Sequence, residues 1–271
     1  MIILFINIDP VVESIKNEIT ELSEKLGRSP KLVSIAENPD ASTLAYLNSQ
    51  KRIAKKYGVD FHILESSHLE RDIITLNSNR SVDGIFLSRP IPDKYDYFKL
   101  ASSINPHKDV EGVNPINVGL MVYGKECFVP CTADACVRIL ESVTKLESSR
   151  ISVFGRSFTV GKPVSIMLMS SGRNSTVTAI NKYTKNPEMI SKNSEIIVVA
   201  VGKKHYIDKK FASKGTVIID VGINVEGNSI YGDVNPELYD SCLVTPVPGG
   251  VGTVTSSLLM RNVFRSALKN K

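Results

Sequence analysis

ISVFGRSFTVGKP, residues 151–163, runs on into VSIMLMSSG at 164–172, and the way these residues divide decides the fold. A short apolar run rich in β-branched residues stops at Gly155. A second glycine, Gly161, precedes Lys162, Pro163 and an apolar segment of helical length. The pattern reads as strand, tight turn, helix, with Pro163 in the first helical turn, where its missing N–H costs nothing. Such a turn gathers unpaired backbone N–H groups and the positive end of a helix dipole at one point, which suits a pyrophosphate. The spacing G-x-x-x-x-x-G is not the usual dinucleotide fingerprint, so the glycines alone fit a plain strand-to-helix turn equally well.

Outward from this turn the rest of the chain alternates in the same way. On the C-terminal side, TVTAI (176–180), EIIVVAVG (195–202) and TVIIDVGIN (216–224) read as further strands with helical material between them. That is the signature of a doubly wound domain. LVTPVPGGVGTVT (243–255) is a Pro and Gly loop, and SSLLMRNVFRSALK closes the chain as an amphipathic helix. On the N-terminal side, MIILFINI reads as a strand and residues 10–26 as a helix that stops at Gly27. KLVSIAE (31–37), VDFHIL and VDGIFLSRP form a β-α-β-α-β series, with strands apolar enough to be buried on both faces of a parallel sheet. INPHKDVEGVNPINVGLMVYGKE, rich in Pro, Gly and Asn, reads as a loop or an inter-domain crossing. The class is therefore α/β, with two domains, each a mainly parallel sheet flanked by helices, the second a Rossmann-like dinucleotide-binding domain.

Length and composition bound the function. With 271 residues the chain can bury one large core or two ordinary ones. A net charge of +5 carried by scattered lysines gives little reason to expect nucleic acid and leaves an anionic small molecule open. No apolar run approaches membrane-spanning length, and the N-terminal run lacks a basic flank and a cleavage site, so the expected location is the cytoplasm. The four cysteines (Cys127, Cys131, Cys136, Cys242) suit reduced, buried thiols. Cys127 and Cys131 could be half of a metal site, but no further pair accompanies them, and no metal is expected.

Candidate site residues follow from position. An Asp or Glu after the second strand of a dinucleotide fold selects NAD. Here that strand is followed by Asn181, Lys182, Tyr183, Thr184 and Lys185, and Arg156 stands in the glycine turn. A basic cluster without a carboxylate favours a 2′-phosphate, hence NADP, the alternative being a solvated surface patch. Tyr46 and Gln50, four residues apart, share one face of a helix, and Lys51 points elsewhere. Ser88 ends a parallel strand, where α/β sheets bind ligands, and Glu111 lies in the crossing loop. Taken singly, Tyr46 also fits a packing residue and Glu111 an ordinary loop acid.

Together the motifs resemble the FolD family of bifunctional methylenetetrahydrofolate dehydrogenase/methenyltetrahydrofolate cyclohydrolases. The matching pieces are KDVEG (108–112), NVG (117–119), PCT (130–132), GRSFTVGKP (155–163), DVGIN (220–224), GDV (232–234) and TPVPGGVG (245–252), in the family's order. The resemblance implies a folate-binding catalytic domain of residues 1–122 plus 253–271, an NADP-binding domain of residues 123–252, a folate cleft between the two, and a homodimer. It implies hydride transfer from 5,10-methylenetetrahydrofolate to NADP, then hydrolysis to 10-formyltetrahydrofolate. Carried over by position, Gly155, Arg156 and Ser157 hold the cofactor phosphates and Ile223 flanks the cofactor, with Lys182 added from the basic cluster. Pro248, Gly249 and Gly250 line the folate cleft, Tyr46 stacks on the folate rings, and Glu111 stands where the family has a pterin-binding Asp.

The departures shape the expected chemistry. The family pattern YxxxK has Gln50 at its lysine position, QLPLP reads SRPIP with Ser88 at its glutamine position, and KDVDG reads KDVEG. Gln for Lys removes a titratable group. Hydride transfer rests on positioning and survives such a change. Hydrolysis needs proton transfer, which an amide does poorly, so a dehydrogenase without hydrolase activity is one alternative. A non-catalytic dinucleotide-binding protein is another, disfavoured because such a protein has no need of TPVPGGVG or Tyr46.

Overall fold

The computed structural model describes residues 3–227 and 229–270. Its elements in chain order are α1 (Asp9–Leu26), β1 (Lys31–Glu37), α2 (Ala41–Lys56), β2 (Asp60–Ser66), α3 (Leu69–Ser78), β3 (Gly84–Leu87), α4 (Tyr97–Ser103), α5 (Pro115–Val122) and α6 (Cys131–Val143). There follow β4 (Arg150–Phe154), α7 (Gly161–Met169), β5 (Thr176–Ile180), α8 (Pro187–Ser191), β6 (Ile196–Val199) and β7 (Val217–Asp220). The short strands β8 (Asn224–Glu226), β9 (Ser229–Tyr231) and β10 (Leu243–Val244) lead to α9 (Val251–Lys269). The described residues divide into two compact units, one of residues 13–131 and 256–270, the other of residues 3–12 and 132–255.

The first unit holds a parallel sheet in the order β2-β1-β3. Central β1 and the outer strand β3 are both buried almost throughout, as continuous apolar runs require. β2 corrects the expectation of strands covered on both faces: it is an edge strand and alternates exposed and buried residues. Asp83, 1% exposed, anchors the start of the sheet. Its carboxylate accepts both Arg28 terminal nitrogens at 2.7 Å and the Lys31 N–H at 2.7 Å. Residues 256–269 of α9 complete this unit, with Leu258, Leu259, Val263 and Phe264 all buried. Each such side chain contributes roughly 1.5 to 3 kcal/mol. The Asn262 amide donates to the Val110 carbonyl at 2.9 Å and so holds the backbone of KDVEG.

The second unit holds a parallel five-stranded sheet, β10-β7-β6-β4-β5. Numbered within the unit, that is the doubly wound order 2-1-3-4-5, whose switch point lies between β4 and β6. The N-terminal run belongs to this unit, not to the first as expected. Leu4 N–H donates to the Tyr239 carbonyl at 2.7 Å and Ile6 N–H to the Val244 carbonyl at 2.9 Å, so the run lines the β10 edge. Among the described residues of the run only Phe5 makes a bridge there, short of the strand expected; Met1 and Ile2 lie outside the described residues.

Two other expectations change. TVIIDVGIN is not one strand: β7 ends at Asp220, whose carboxylate accepts the Gly222 N–H at 2.9 Å and turns the chain. The crossing loop contains helix α5, because Asn114 caps it by accepting the Ile116 N–H at 2.7 Å with Pro115 in the first turn. No helix among the described residues is long and apolar enough to cross a membrane.

Candidate functional site

In the first unit the carboxyl ends of β1 and β3 and the KDVEG loop bring four expected residues into one neighbourhood. Ser88 follows β3, its N–H donating to the Ile35 carbonyl at 2.9 Å. Its hydroxyl is buried without a partner. The KDVEG loop is folded around Asp109, whose carboxylate accepts N–H groups from Gly112 at 3.0 Å, Val113 at 3.1 Å and Asn114 at 2.8 Å, and the Asn117 amide at 2.8 Å. Burial pushes the Asp109 carboxyl upward against those four donors. Gly112 closes the turn at φ +75°, and a Cβ there would meet the Val129 carbonyl carbon at 2.3 Å, so only glycine fits.

That turn presents Glu111. One carboxylate oxygen accepts Arg89 at 3.3 Å; the other is buried with no partner. Desolvation pushes the Glu111 carboxyl up to about 7, against the pull of Arg89 and with a push from Asp109. α2 supplies Tyr46 and Gln50. The Tyr46 ring is 48% exposed, yet its phenol is pushed up to about 12 by its crowded surroundings and then by the charges of Glu111 and Cys131, with Arg89 and Gln50 opposing. Gln50 is 5% exposed, donates to the Ser256 hydroxyl at 3.0 Å, and has a carbonyl oxygen without a partner. Three spare polar atoms, on Gln50, Ser88 and Glu111, are therefore buried in the unit that carries Tyr46. Leaving such an atom unmatched costs roughly 1 to 3 kcal/mol, the cost a ligand that matches it relieves.

In the second unit the glycine turn sits at the switch point. Gly155 has φ +116°, and a Cβ on it would lie 2.5 Å from the Ala200 carbonyl oxygen beyond β6. A Cβ on Gly161 would lie 2.1 Å from the Gly155 oxygen. Both glycines are demanded by close approach of backbone to backbone. Ser157 accepts the Val160 N–H at 3.2 Å and the Gly161 N–H at 3.4 Å, capping α7 while keeping its own proton to donate. Beyond β5, Arg156 lies 5.8 Å and Lys182 5.0 Å from the centre of the exposed Tyr183 ring. The two cations come together because Phe154 of β4 and Ile180 of β5 are in register and each cation follows by two residues. Ile223 is 66% exposed past the end of β7. In the TPVPGGVG loop Pro248 and Gly249 are exposed, Gly249 has φ +97°, and Gly250 packs on the Pro246 carbonyl. Among the described residues no group of three or more His, Cys, Asp or Glu is placed to hold a metal.

Residues 7–111 match the model of the tetrahydrofolate dehydrogenase/cyclohydrolase catalytic domain, and residues 130–271 that of its NAD(P)-binding domain. The chain belongs to the tetrahydrofolate dehydrogenase/cyclohydrolase family. It is 48% identical over 268 residues to the bifunctional protein FolD of Petrotoga mobilis, covering 99% of this chain and 98% of that one. Among solved structures it is similar to the bifunctional FolD of Campylobacter jejuni, with TM-score 0.91, 30% identity and coverage of 98% and 99%. The Trypanosoma brucei FolD, described as complexed with NADP cofactor and inhibitor, gives TM-score 0.86, 28% identity and coverage of 96% and 95%.

Against this family background the residues that sequence reasoning passed over stand out. Arg89 pairs with Glu111, and its signal was its place beside Ser88 in SRPIP. Tyr97 of α4 lies near the same pair, its phenol pushed upward by burial and by Glu111. In the family motifs DVGIN and GDV, each aspartate packs on the other's glycine: a Cβ on Gly232 would sit 1.9 Å from Asp220, and one on Gly222 2.2 Å from Asp233. The Asp233 carboxylate also accepts the Val201, Gly202 and Lys203 N–H groups at 2.8 to 2.9 Å, which fixes the loop after β6. These aspartates shape the loops around the cofactor turn and have no spare acceptor aimed at chemistry.

Proposed function

We propose that this protein oxidises 5,10-methylenetetrahydrofolate to 5,10-methenyltetrahydrofolate with NADP and hydrolyses that product to 10-formyltetrahydrofolate. The observation that carries the reading is the set of three buried, unmatched polar atoms on Gln50, Ser88 and Glu111 in the unit that also holds Tyr46. A pterin offers ring N–H donors and a carbonyl acceptor, and its flat rings suit the exposed face of Tyr46.

NADP fits the residues of the second unit. The Gly155–Gly161 turn is drawn tight by backbone-to-backbone approach at the start of α7, Ser157 offers a hydroxyl proton, and Arg156 with Lys182 supplies charge for a 2′-phosphate. When bound, NADP supplies the hydride acceptor. Ile223, Pro248, Gly249 and Gly250 are the residues that flank cofactor and folate in this reading. It assigns the folate-binding catalytic role to the unit of residues 13–131 and 256–270 and the NADP-binding role to the other.

A homodimer in the cytoplasm belongs to the same reading. Val225 and Ile230, paired in register on the β8–β9 hairpin and both exposed, form an apolar face of the kind a second copy covers, and sedimentation would report the dimer. The activity is tested by mixing purified protein, NADP and 5,10-methylenetetrahydrofolate and following NADPH absorbance, then the loss of the methenyl chromophore. Absence of NADP reduction overturns the proposal.

A further inference from the structure

With Gln50 in the lysine position, the hydrolysis step still needs a group that can carry a proton. Gln50 has no titratable proton, and its amide is already engaged with Ser256. We propose that Glu111 carries the proton in hydrolysis of the methenyl compound and that Arg89 is the positioning residue that holds its carboxylate, an inference that rests on the function proposed above. The geometry divides the two oxygens of Glu111: one is tethered to Arg89 at 3.3 Å, and the other is buried and unmatched, free to take a proton from water.

The groups that face Glu111 come from four places: Arg89 beyond β3, Asp109 in the loop of Glu111 itself, Tyr97 on α4, and Tyr46 on α2. Both tyrosines are pushed upward, so they stay neutral near pH 7, and Arg89 is the one cation in this set. Burial outweighs Arg89 and brings the carboxyl up to about 7, where it exchanges protons readily in either direction.

The step balances as follows. Water oxygen bonds to the electron-poor methenyl carbon, its proton passes to the free Glu111 oxygen, and the carbon–nitrogen π pair returns to nitrogen, which gives a neutral carbinolamine. The carbon–N5 bond then breaks, N5 takes the proton back from Glu111, and the carbinolamine hydroxyl loses its proton to solvent as the formyl C=O forms. One water is consumed, one proton is released, and no redox change occurs.

The test is the pH dependence of methenyltetrahydrofolate hydrolysis, corrected for the spontaneous reaction, in the unmodified protein and in Arg89→Leu, Arg89→Lys and Glu111→Gln, with NADP reduction measured on each. The unmodified protein should gain hydrolysis through a limb near pH 7. Arg89→Leu removes the charge that favours the carboxylate, so the limb moves to higher pH and hydrolysis below it falls about tenfold per unit moved. Arg89→Lys should bring the limb back. Glu111→Gln should abolish it and slow hydrolysis by roughly 10²- to 10⁴-fold. Thermal melts of Arg89→Leu and Arg89→Lys that match the unmodified protein show that those variants fold. A limb that stays in place in Arg89→Leu, a Glu111→Gln protein with the unmodified profile, or an unmodified protein that reduces NADP but does not hydrolyse would each overturn this inference alone. Absence of NADP reduction in the unmodified protein would instead overturn the proposed function.

Discussion

Arg156→Ala tests the cofactor assignment most directly. Among the described residues Arg156 forms no ion pair and leans on the Tyr183 ring, 5.8 Å from its centre, so none of them competes with a phosphate for its guanidinium. A charge-assisted hydrogen bond is worth roughly 1.5 to 3 kcal/mol, and exposure to solvent and salt places this one in the lower half of that range. At about 1.4 kcal/mol per tenfold, kcat/KM for NADP should fall about 10- to 40-fold. NAD lacks the 2′-phosphate and should change by less than about threefold, the scatter expected of a surface substitution. Lys182 carries the second charge, so the double variant with Lys182→Ala should bring the two cofactors close to parity. Tyr183→Ala removes a cation–π contact of about 0.5 to 1 kcal/mol. Its effect should not add to that of Arg156→Ala, because the two side chains touch. Initial rates with each cofactor at two salt concentrations settle the matter: the NADP advantage should shrink at high salt. A parallel loss with NAD and NADP would refute the reasoning, since it would mean that Arg156 acts on something the cofactors share.

The remaining predictions are structural and chemical. Gln50→Lys should raise hydrolysis relative to NADP reduction, by up to about 10²-fold, and cost about 1 to 3 kcal/mol in urea unfolding for burying an ammonium; an unchanged ratio of the two rates would remove this position from the chemistry. Gly155→Ala places a Cβ 2.5 Å from the Ala200 oxygen at φ +116°, so about 2 to 4 kcal/mol of stability and most NADP affinity should go, as a thermal melt and a cofactor titration would show. Glu111 has a folded pKa raised above its unfolded value, so its stabilising contribution is complete below about pH 4.5 and is lost as pH rises to about 7. Unfolding free energy should fall by of order 2 to 3 kcal/mol across that window, and Glu111→Gln should flatten this part of the curve in urea titrations at each pH.

Strand positions in the sequence were legible where packing is periodic. KLVSIAE and TVTAI match β1 and β5 residue for residue, the first by its buried apolar run and the second, on the sheet's edge, by its β-branched residues. The N-terminal run misled because an apolar segment does not say which sheet it lies along, and the bonds to Tyr239 and Val244 join residues more than 230 positions apart. Helix α5 was hidden by its composition, since the Asn and Pro that suggest a loop are also the cap and first turn of a helix. At the site, Tyr46, Gln50, Ser88 and Glu111 were readable as family positions. Their electrostatic setting was not, because desolvation of Glu111 depends on the three-dimensional enclosure and Arg89 reaches it across 22 residues of chain.

The interlocked pair of aspartates and glycines at 220, 222, 232 and 233 bears on how relatives of this protein should be recognised. Each aspartate excludes a side chain at the opposite glycine, so a chain that keeps the loop must keep both Asp–Gly pairs together, whatever reaction it performs. A search keyed to those motifs therefore collects proteins by architecture. Gene products that have drifted to a new substrate, or to none, would be gathered along with the enzymes. Sorting them by chemistry calls for reading positions 50, 88, 89 and 111 as a group, where side chains differ without disturbing the scaffold that carries them.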